Sequence, residues 1–110
     1  MTQQGYRLTA HLSGEVLVVE AEGKFDREVG LGVLQRLQEH QGPSILNLSK
    51  VEYISSSGVA MLVKLSATHG VRLSCPSECV PYTLGLAGIL RIVTLYTDDA
   101  AALNAQPDRP

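Results

Sequence analysis

The most informative segment of the sequence is residues 45–65, which reads ILNLSKVEYISSSGVAMLVKL. Residues 44–48 (SILNL) are mostly apolar and are bounded by turn-forming residues, so they predict a short strand. A polar loop then brings three consecutive serines, 55–57, to the start of an apolar segment. We predict that this segment forms a helix from Val59 to about His69, closed by Gly70.

The start of this helix suits a negatively charged group. The first N–H groups of a helix have no intrahelical partner, and the helix dipole is positive there. A phosphate, or an anionic group of a partner, is therefore stabilised at that position. Gly58 has no Cβ and lets another surface approach closely. Serine is also a preferred N-cap, so a purely structural role could account for one of the three serines.

The remaining segments alternate between strand and helix patterns. After an initial strand pair, helices and strands follow one another, which implies right-handed crossovers and helices packed against a sheet. The sequence therefore predicts an α/β fold, with a mixed, mostly parallel sheet of about five strands and about four helices in the order β-β-α-β-α-β-α-β-α. The other predicted elements are strands over 6–12 and 15–22, the second ended by Gly23, a helix with Asp26 as N-cap, a strand over 71–74, a helix over 80–87, a strand within 89–96 and a helix over 98–103.

Two glycines interrupt the helix that follows Asp26. Gly30 and Gly32 each cost about 1 kcal/mol relative to alanine in a helix interior. They indicate either a late helix start or close packing against another element, and the sequence leaves both readings open.

The length of the chain fits one domain. It has 110 residues, of which 45% are hydrophobic, as in a globular protein with a single core. We predict one domain over residues 1–105 and a flexible tail over 106–110, a segment that contains two prolines.

Charge and hydropathy argue against two classes of partner. The formal net charge is -2 and the basic residues are scattered, so the basic patch of a nucleic-acid-binding protein is missing. No apolar run approaches the roughly 18 residues that a membrane span needs, and no secretory signal pattern opens the chain. The sequence therefore predicts a cytoplasmic protein that does not insert into a membrane.

The sequence contains no recognisable catalytic or metal-binding arrangement. Cys75 and Cys79 cannot complete a structural zinc site by themselves, since such sites take about four ligands, and we interpret them as reduced cysteines near a loop. No Ser-His-Asp set, carboxylate pair or phosphate-binding glycine loop can be assembled. We predict no enzymatic activity and no cofactor. A small-molecule-binding domain has little support, because aromatic residues are few.

The serine-rich segment resembles the signature of STAS domains of the bacterial anti-sigma-factor antagonist type. In that family an Asp-Ser-Ser/Thr-Gly-Leu-Gly/Ala motif opens a helix, and residues 55–60 (SSSGVA) occupy the matching place. Residues 23–26 (GKFD) resemble the family's Gly-Glu-Leu-Asp, and residues 84–90 (LGLAGIL) resemble the helix and turn before the last strand. The last strand and its acidic helix complete a resemblance that covers nearly the whole chain.

The resemblance implies a regulator of transcription that acts by partner switching. In such members the serine directly after the motif Asp is phosphorylated by a kinase that is also an anti-sigma factor, and the phosphoprotein is released. The corresponding residue is Ser56, with Ser57 as the second choice. The implied partners are an anti-sigma factor with serine kinase activity and a phosphatase, and self-association is left open. The residues expected to contact the partner are Asp26, Ser55, Ser56, Ser57, Gly58, Val59 and Met61.

One residue departs from the family pattern. Ser55 stands where the motif has Asp, so the role of that carboxylate beside the phosphorylated serine is lost. Either Ser56 is still phosphorylated, or the chain is a constitutive STAS interaction module. Such modules include accessory subunits of lipid-transport ABC systems and signalling scaffolds. Asp26 also has two readings, as a helix cap or as a partner-facing residue.

Overall fold

The strands form one sheet whose spatial order is the order of the chain. The computed structural model describes residues 6–74, 77–89 and 93–104. Within these residues it contains β1 (Tyr6–Ser13), β2 (Val16–Phe25), α1 (Arg27–Gln38), β3 (Ser44–Ile54), α2 (Ser56–His69), β4 (Arg72–Ser74), α3 (Cys79–Leu86), β5 (Leu95–Tyr96) and α4 (Asp99–Asn104).

The predicted architecture is confirmed. β1 and β2 form an antiparallel hairpin, and β2, β3, β4 and β5 are joined by parallel pairings. The sheet has the order β1-β2-β3-β4-β5. Each parallel connection after β2 passes through a helix, as the alternating sequence pattern predicted.

Helices cover both faces of the sheet, but unequally. Successive residues of a strand point to opposite faces. Val19 and Leu46 belong to the larger core, which also contains buried residues of α1, α2 and α3. Their neighbours Val18 and Ile45 pack with Ala102 of α4 in a smaller cluster. The fourth helix therefore lies on the face opposite to the other three.

Polar side chains attach α4 to its face of the sheet. The Asp99 Oδ1 atom accepts hydrogen bonds from Asn47 Nδ2 at 3.0 Å and from Ser74 Oγ at 2.5 Å. Arg72 donates to the Ala102 carbonyl oxygen at 2.8 Å. Asn47 and Ser74 are both buried, so these bonds satisfy groups that would be costly to leave unpaired.

Three predicted boundaries are wrong. β2 does not end at Gly23 but continues to Phe25. Gly23 has φ 90 and lies beside a shift in the pairing of β2 with β3, which is the irregular position that a glycine inside a strand often marks. β3 extends beyond Leu48 to Ile54, and α2 begins at Ser56 rather than at Val59.

The two glycines of α1 lie at close packing contacts. The helix starts at Arg27, so a late start is excluded. A Cβ on Gly30 would lie 2.6 Å from the Cβ of Met61 on α2, and one on Gly32 would lie 2.8 Å from the Leu8 Cδ1 of β1. The absence of a side chain at Gly30 lets α1 approach α2, whereas the contact at Gly32 involves only the flexible end of the Leu8 side chain.

Some predicted features lie outside the described residues, namely the tail over 106–110, Cys75, and residues 90–92 of the segment expected to hold the last strand. Cys79 is a half-buried free thiol. Across the described ranges, none of the helices is long and apolar enough to cross a membrane.

Candidate functional site at the starts of two helices

The starts of α1 and α2 lie side by side at the end of the sheet where β2 and β3 finish. β2 and β3 are parallel neighbours, and Phe25 at the end of β2 is paired with Ile54 at the end of β3. Each strand leads within two residues into a helix. The Ser55 N–H donates to the Phe25 carbonyl oxygen at 3.1 Å, which ties the second helix start to the first strand end. Two positive helix ends therefore converge here.

Ser55 is the N-cap of α2. Its backbone is extended, and its Oγ atom accepts a hydrogen bond from the Gly58 N–H at 3.0 Å. Serine and aspartate are about equally good at this position. Ser55 therefore caps α2 as an aspartate would, but without a negative charge.

Ser57 links the two helix starts through its hydroxyl group. Its Oγ atom accepts a hydrogen bond from the Arg27 N–H at 3.2 Å. The same atom lies 2.9 Å from Ser55 Oγ, within hydrogen-bonding distance. Although Ser57 is exposed, its hydroxyl is thus committed to the first turn of α1 and to the cap of α2.

Ser56 differs from both of its neighbours. It is the first residue of α2 and is exposed. Within the described part of the chain, its hydroxyl takes part in none of the side-chain hydrogen bonds. Of the three serines, Ser56 presents the hydroxyl that a second protein can reach without breaking a bond of the fold.

Asp26 caps α1 and carries a stabilised negative charge. Its Oδ1 atom accepts from the Val29 N–H at 3.1 Å, and its Oδ2 atom lies 3.4 Å from Lys24 Nζ. Burial acts to raise the pKa of Asp26, but the Val29 amide and the Lys24 ammonium group outweigh it and hold the pKa below its usual value. The cap reading of Asp26 is therefore confirmed, and its side chain is half-buried.

Three residues expected to contact a partner lie in the interior. Gly58, Val59 and Met61 are buried. A Cβ on Gly58 would lie 2.9 Å from the Phe25 carbonyl carbon and closer still to its oxygen. The surface that approaches Gly58 is thus the protein's own strand end, and Met61 fills the space left by Gly30. Ala60 is the exposed apolar residue of this turn.

Sequence reasoning missed Tyr53 as a residue of this region. Its side chain is 61% exposed near the end of β3, and its strand partner is Lys24. Because β3 was predicted to stop at Leu48, the sequence did not indicate where the Tyr53 side chain would lie. The apolar residues at 51 and 54 are three apart, which is not the two-residue period of a strand, so the sequence contains no regular signal that β3 continues.

The described residues hold no group of three or more His, Cys, Asp or Glu side chains that could bind a metal ion. The buried side-chain polar atoms described in the structure all have hydrogen-bond partners. What the site offers is an exposed hydroxyl at a positive helix end, while the start of the neighbouring helix is capped by the Asp26 carboxylate. This arrangement is suited to recognition by another protein.

A sequence model of the STAS domain family matches residues 7–102. The chain therefore belongs to the STAS domain family, as the motif over residues 55–60 predicted. A comparison with curated proteins finds no match.

Several solved structures share the fold. The NMR structure of the Thermotoga maritima protein TM1081 is similar with a TM-score of 0.71 and 20% identity, over 94% of this chain and 90% of that one. The anti-sigma factor antagonist SpoIIAA in its unphosphorylated form gives a TM-score of 0.62 at 15% identity, over 87% and 93% of the two chains. The phosphorylated form of SpoIIAA from Bacillus gives a TM-score of 0.60 at 18% identity, over 91% of this chain and 100% of that one. A sulfate transporter family protein from Wolinella succinogenes gives a TM-score of 0.66 at 21% identity, over 84% of this chain and 85% of that one. At these identities the likeness establishes the fold alone.

Proposed function

We propose that this protein is an anti-sigma-factor antagonist controlled by phosphorylation of Ser56. The unmodified protein binds an anti-sigma factor that is also a serine kinase, phosphorylation of Ser56 releases it, and a phosphatase restores binding. The observation that carries the proposal is the difference among the three serines. Ser55 and Ser57 use their hydroxyls within the fold, whereas the Ser56 hydroxyl is exposed and has no hydrogen bond to the described residues.

The family and its structural neighbours support this choice. The motif position of Ser56 matches the phosphorylated serine of partner-switching STAS proteins, and the neighbour SpoIIAA is a protein with unphosphorylated and phosphorylated forms. The residue that departs from the motif, Ser55, keeps the helix cap, so the position of Ser56 does not depend on the missing carboxylate.

Electrostatics supplies the release step. A phosphate adds roughly -1.5 to -2 charges at neutral pH. At Ser56 it would be added at a surface that the partner covers in the complex. Burying that charge without a new partner costs free energy, so the complex weakens. The surface that we assign to the partner consists of Ser56, Ser57, Ala60, the Asp26 carboxylate and Tyr53.

The test compares Ser56 with Gln35, an exposed residue in the third turn of α1 that lies outside the assigned surface. Wild-type protein, S56D and Q35E are immobilised in parallel and exposed to lysate of the native host, and the proteins retained are identified by mass spectrometry. We expect a kinase-like anti-sigma factor on wild type and Q35E, and its loss on S56D. The same instrument measures phosphate on the peptide that contains residues 55–57, and we expect it on Ser56 in the unbound pool. Equal retention by all three proteins would contradict the proposal.

A second function has one specific observation in its favour. The structural neighbours include a sulfate transporter family protein, and Ser55 replaces the motif Asp. A constitutive STAS interaction module, as an accessory subunit of a transport system or part of a scaffold, would account for both. It predicts that a transport protein or scaffold co-purifies with the chain, that Ser56 carries no phosphate, and that S56D retains the same proteins as wild type.

A further inference from the structure

β1 is an edge strand with few of the features that usually protect an edge. It is eight residues long, contains no proline, and pairs with β2 from Tyr6↔Gly23 to Ser13↔Val16 without a register shift. The other edge, β5, is a strand of two residues. Natural edge strands are commonly shortened, bulged or carry prolines and charges that block further pairing. In β1 the only permanent charge is Arg7, near one end.

The outer side of β1 offers backbone groups for a further strand. In an antiparallel ladder, every other residue directs its N–H and C=O groups away from its partner. The structure describes β2 as the neighbour of β1 on one side and no strand on the other. Leu12 on this strand is 62% exposed, so an apolar side chain also lies at the edge without cover.

We propose that β1 pairs with β1 of a second copy of this chain, antiparallel and centred on Ala10, so that two sheets join into one. In this register Leu8 lies opposite Leu12 of the other copy, and Ala10 lies opposite its own counterpart. Leu8 is packed against α1 near Gly32, so the exposed Leu12 gains an apolar neighbour already supported by a helix.

Side-chain pairing favours this register over the one centred on Thr9. A pairing centred on Thr9 would place the Arg7 guanidinium group opposite the His11 ring rather than the small Ser13, and Leu8 opposite Ala10 rather than Leu12. With Ala10 at the centre, Arg7 lies opposite Ser13 and His11 lies opposite Thr9, so no two charged groups face each other. The strand is thus complementary to itself, which is what a two-fold symmetric interface requires.

The proposed pairing is independent of the partner-switching site. The serines lie at the ends of β2 and β3, whereas the interface uses the outer edge of β1. Because the two β1 strands run in opposite directions, the two serine sites of the dimer would lie at opposite ends of the joined sheet. One dimer could then bind two partner molecules without contact between them.

A crosslinking experiment tests the register. Ala10→Cys and, as the control, Thr9→Cys are made in full-length protein whose own two cysteines are replaced by serine (C75S, C79S). Directly opposite residues have Cβ atoms about 4.5–5.5 Å apart, close to disulfide geometry, whereas diagonal ones lie about 7–8 Å apart. We expect A10C to form a disulfide-linked dimer on mild oxidation and T9C to remain monomeric. Crosslinking of T9C alone, or of neither variant, would overturn the proposal.

Sedimentation equilibrium tests the association without a covalent bond. Wild type is expected to show a concentration-dependent dimer, and A10K and A10E alone are expected to lose it, because each places like charges opposite one another at the centre of the interface. An equimolar mixture of A10K and A10E should restore the dimer. A wild-type protein that stays monomeric at millimolar concentration would overturn the proposal, as would a dimer that survives in A10K. Circular dichroism of each variant verifies that the hairpin is folded.

Discussion

Replacement of Gly58 by alanine should destabilise the protein, although alanine is the better helix former. The position lies in the first turn of α2, where the change from glycine contributes at most about 1 kcal/mol in favour of the helix. Against this gain, the new Cβ would lie 2.9 Å from the Phe25 carbonyl carbon and nearer to its oxygen. Both are backbone atoms of β2, which cannot turn aside as a side chain can.

The magnitude follows from the difference between the two effects. Overpacking of a close contact typically costs about 1–3 kcal/mol, and a clash with backbone belongs at the upper end of that range. After subtraction of the helix gain, we expect G58A to lower the free energy of unfolding by about 2 kcal/mol. The added methyl group also pushes α2 away from Phe25 and weakens the hydrogen bond from the Ser55 N–H.

Gly32 provides the matched control. It lies inside α1, and a Cβ there would meet only the Leu8 Cδ1 atom, at 2.8 Å, and a more distant atom of Arg36. Leu8 is half-buried and its terminal methyl group can rotate away. G32A should therefore leave the stability unchanged or raise it by up to about 1 kcal/mol.

Urea unfolding followed by circular dichroism distinguishes the two variants. G58A should shift the midpoint to lower urea concentration without a change in slope, and G32A should not. A loss of about 2 kcal/mol in the free energy of unfolding corresponds to a loss of roughly 9 °C in melting temperature for a domain of this size. If G58A is as stable as wild type, or if G32A is the more damaged of the two, the packing argument at the start of α2 is refuted.

Two further predictions concern the caps of the two helices. S55A should lower the free energy of unfolding by about 1 kcal/mol because the Gly58 N–H loses its acceptor. S55D should keep the cap and the stability. If urea unfolding shows the two variants to be equally destabilised, the capping role of Ser55 is contradicted. D26N keeps a capping side chain but removes the charge, and the folded-state pKa of Asp26 is lowered. The charged carboxylate therefore stabilises the fold at any pH above the usual carboxyl pKa. This stabilisation is lost as the pH falls through the lower pKa that Asp26 has in the folded protein. The stability difference between wild type and D26N should be constant near neutral pH and shrink below about pH 4; a difference that grows on acidification would contradict this assignment.

The order of the elements could be predicted from the sequence, but the length of the central strands could not. Residues 44–48 of β3 are mostly apolar, but the residues that follow are not, and the pairing of β3 with β2 shifts at two places there. A shift disrupts the two-residue period on which strand prediction depends. The prediction that β2 ends at Gly23 is wrong because a glycine at a bulge and a glycine at a strand end look alike in sequence.

The residues of the candidate site also divide into those that the sequence predicted and those that only the structure revealed. The preference of serine for N-caps anticipated that one of residues 55–57 would cap α2, and family resemblance singled out Ser56. The role of Gly58 required the structure, because the strand end that approaches it is far away in the sequence. The hydrogen bond from the Arg27 N–H to Ser57 likewise joins two segments whose contact no local pattern encodes.

The order of the sheet also bears on how the chain folds during synthesis. Each strand pairs with the one made before it, so no strand has to wait for a later segment to find its neighbour. The β1–β2 hairpin is local and can close first, whereas each of the three parallel pairings encloses a helix and forms more slowly. The hydrogen bonds beside Ser56 join residues between Phe25 and Gly58. All the residues of these hydrogen bonds therefore leave the ribosome before the last strand and α4.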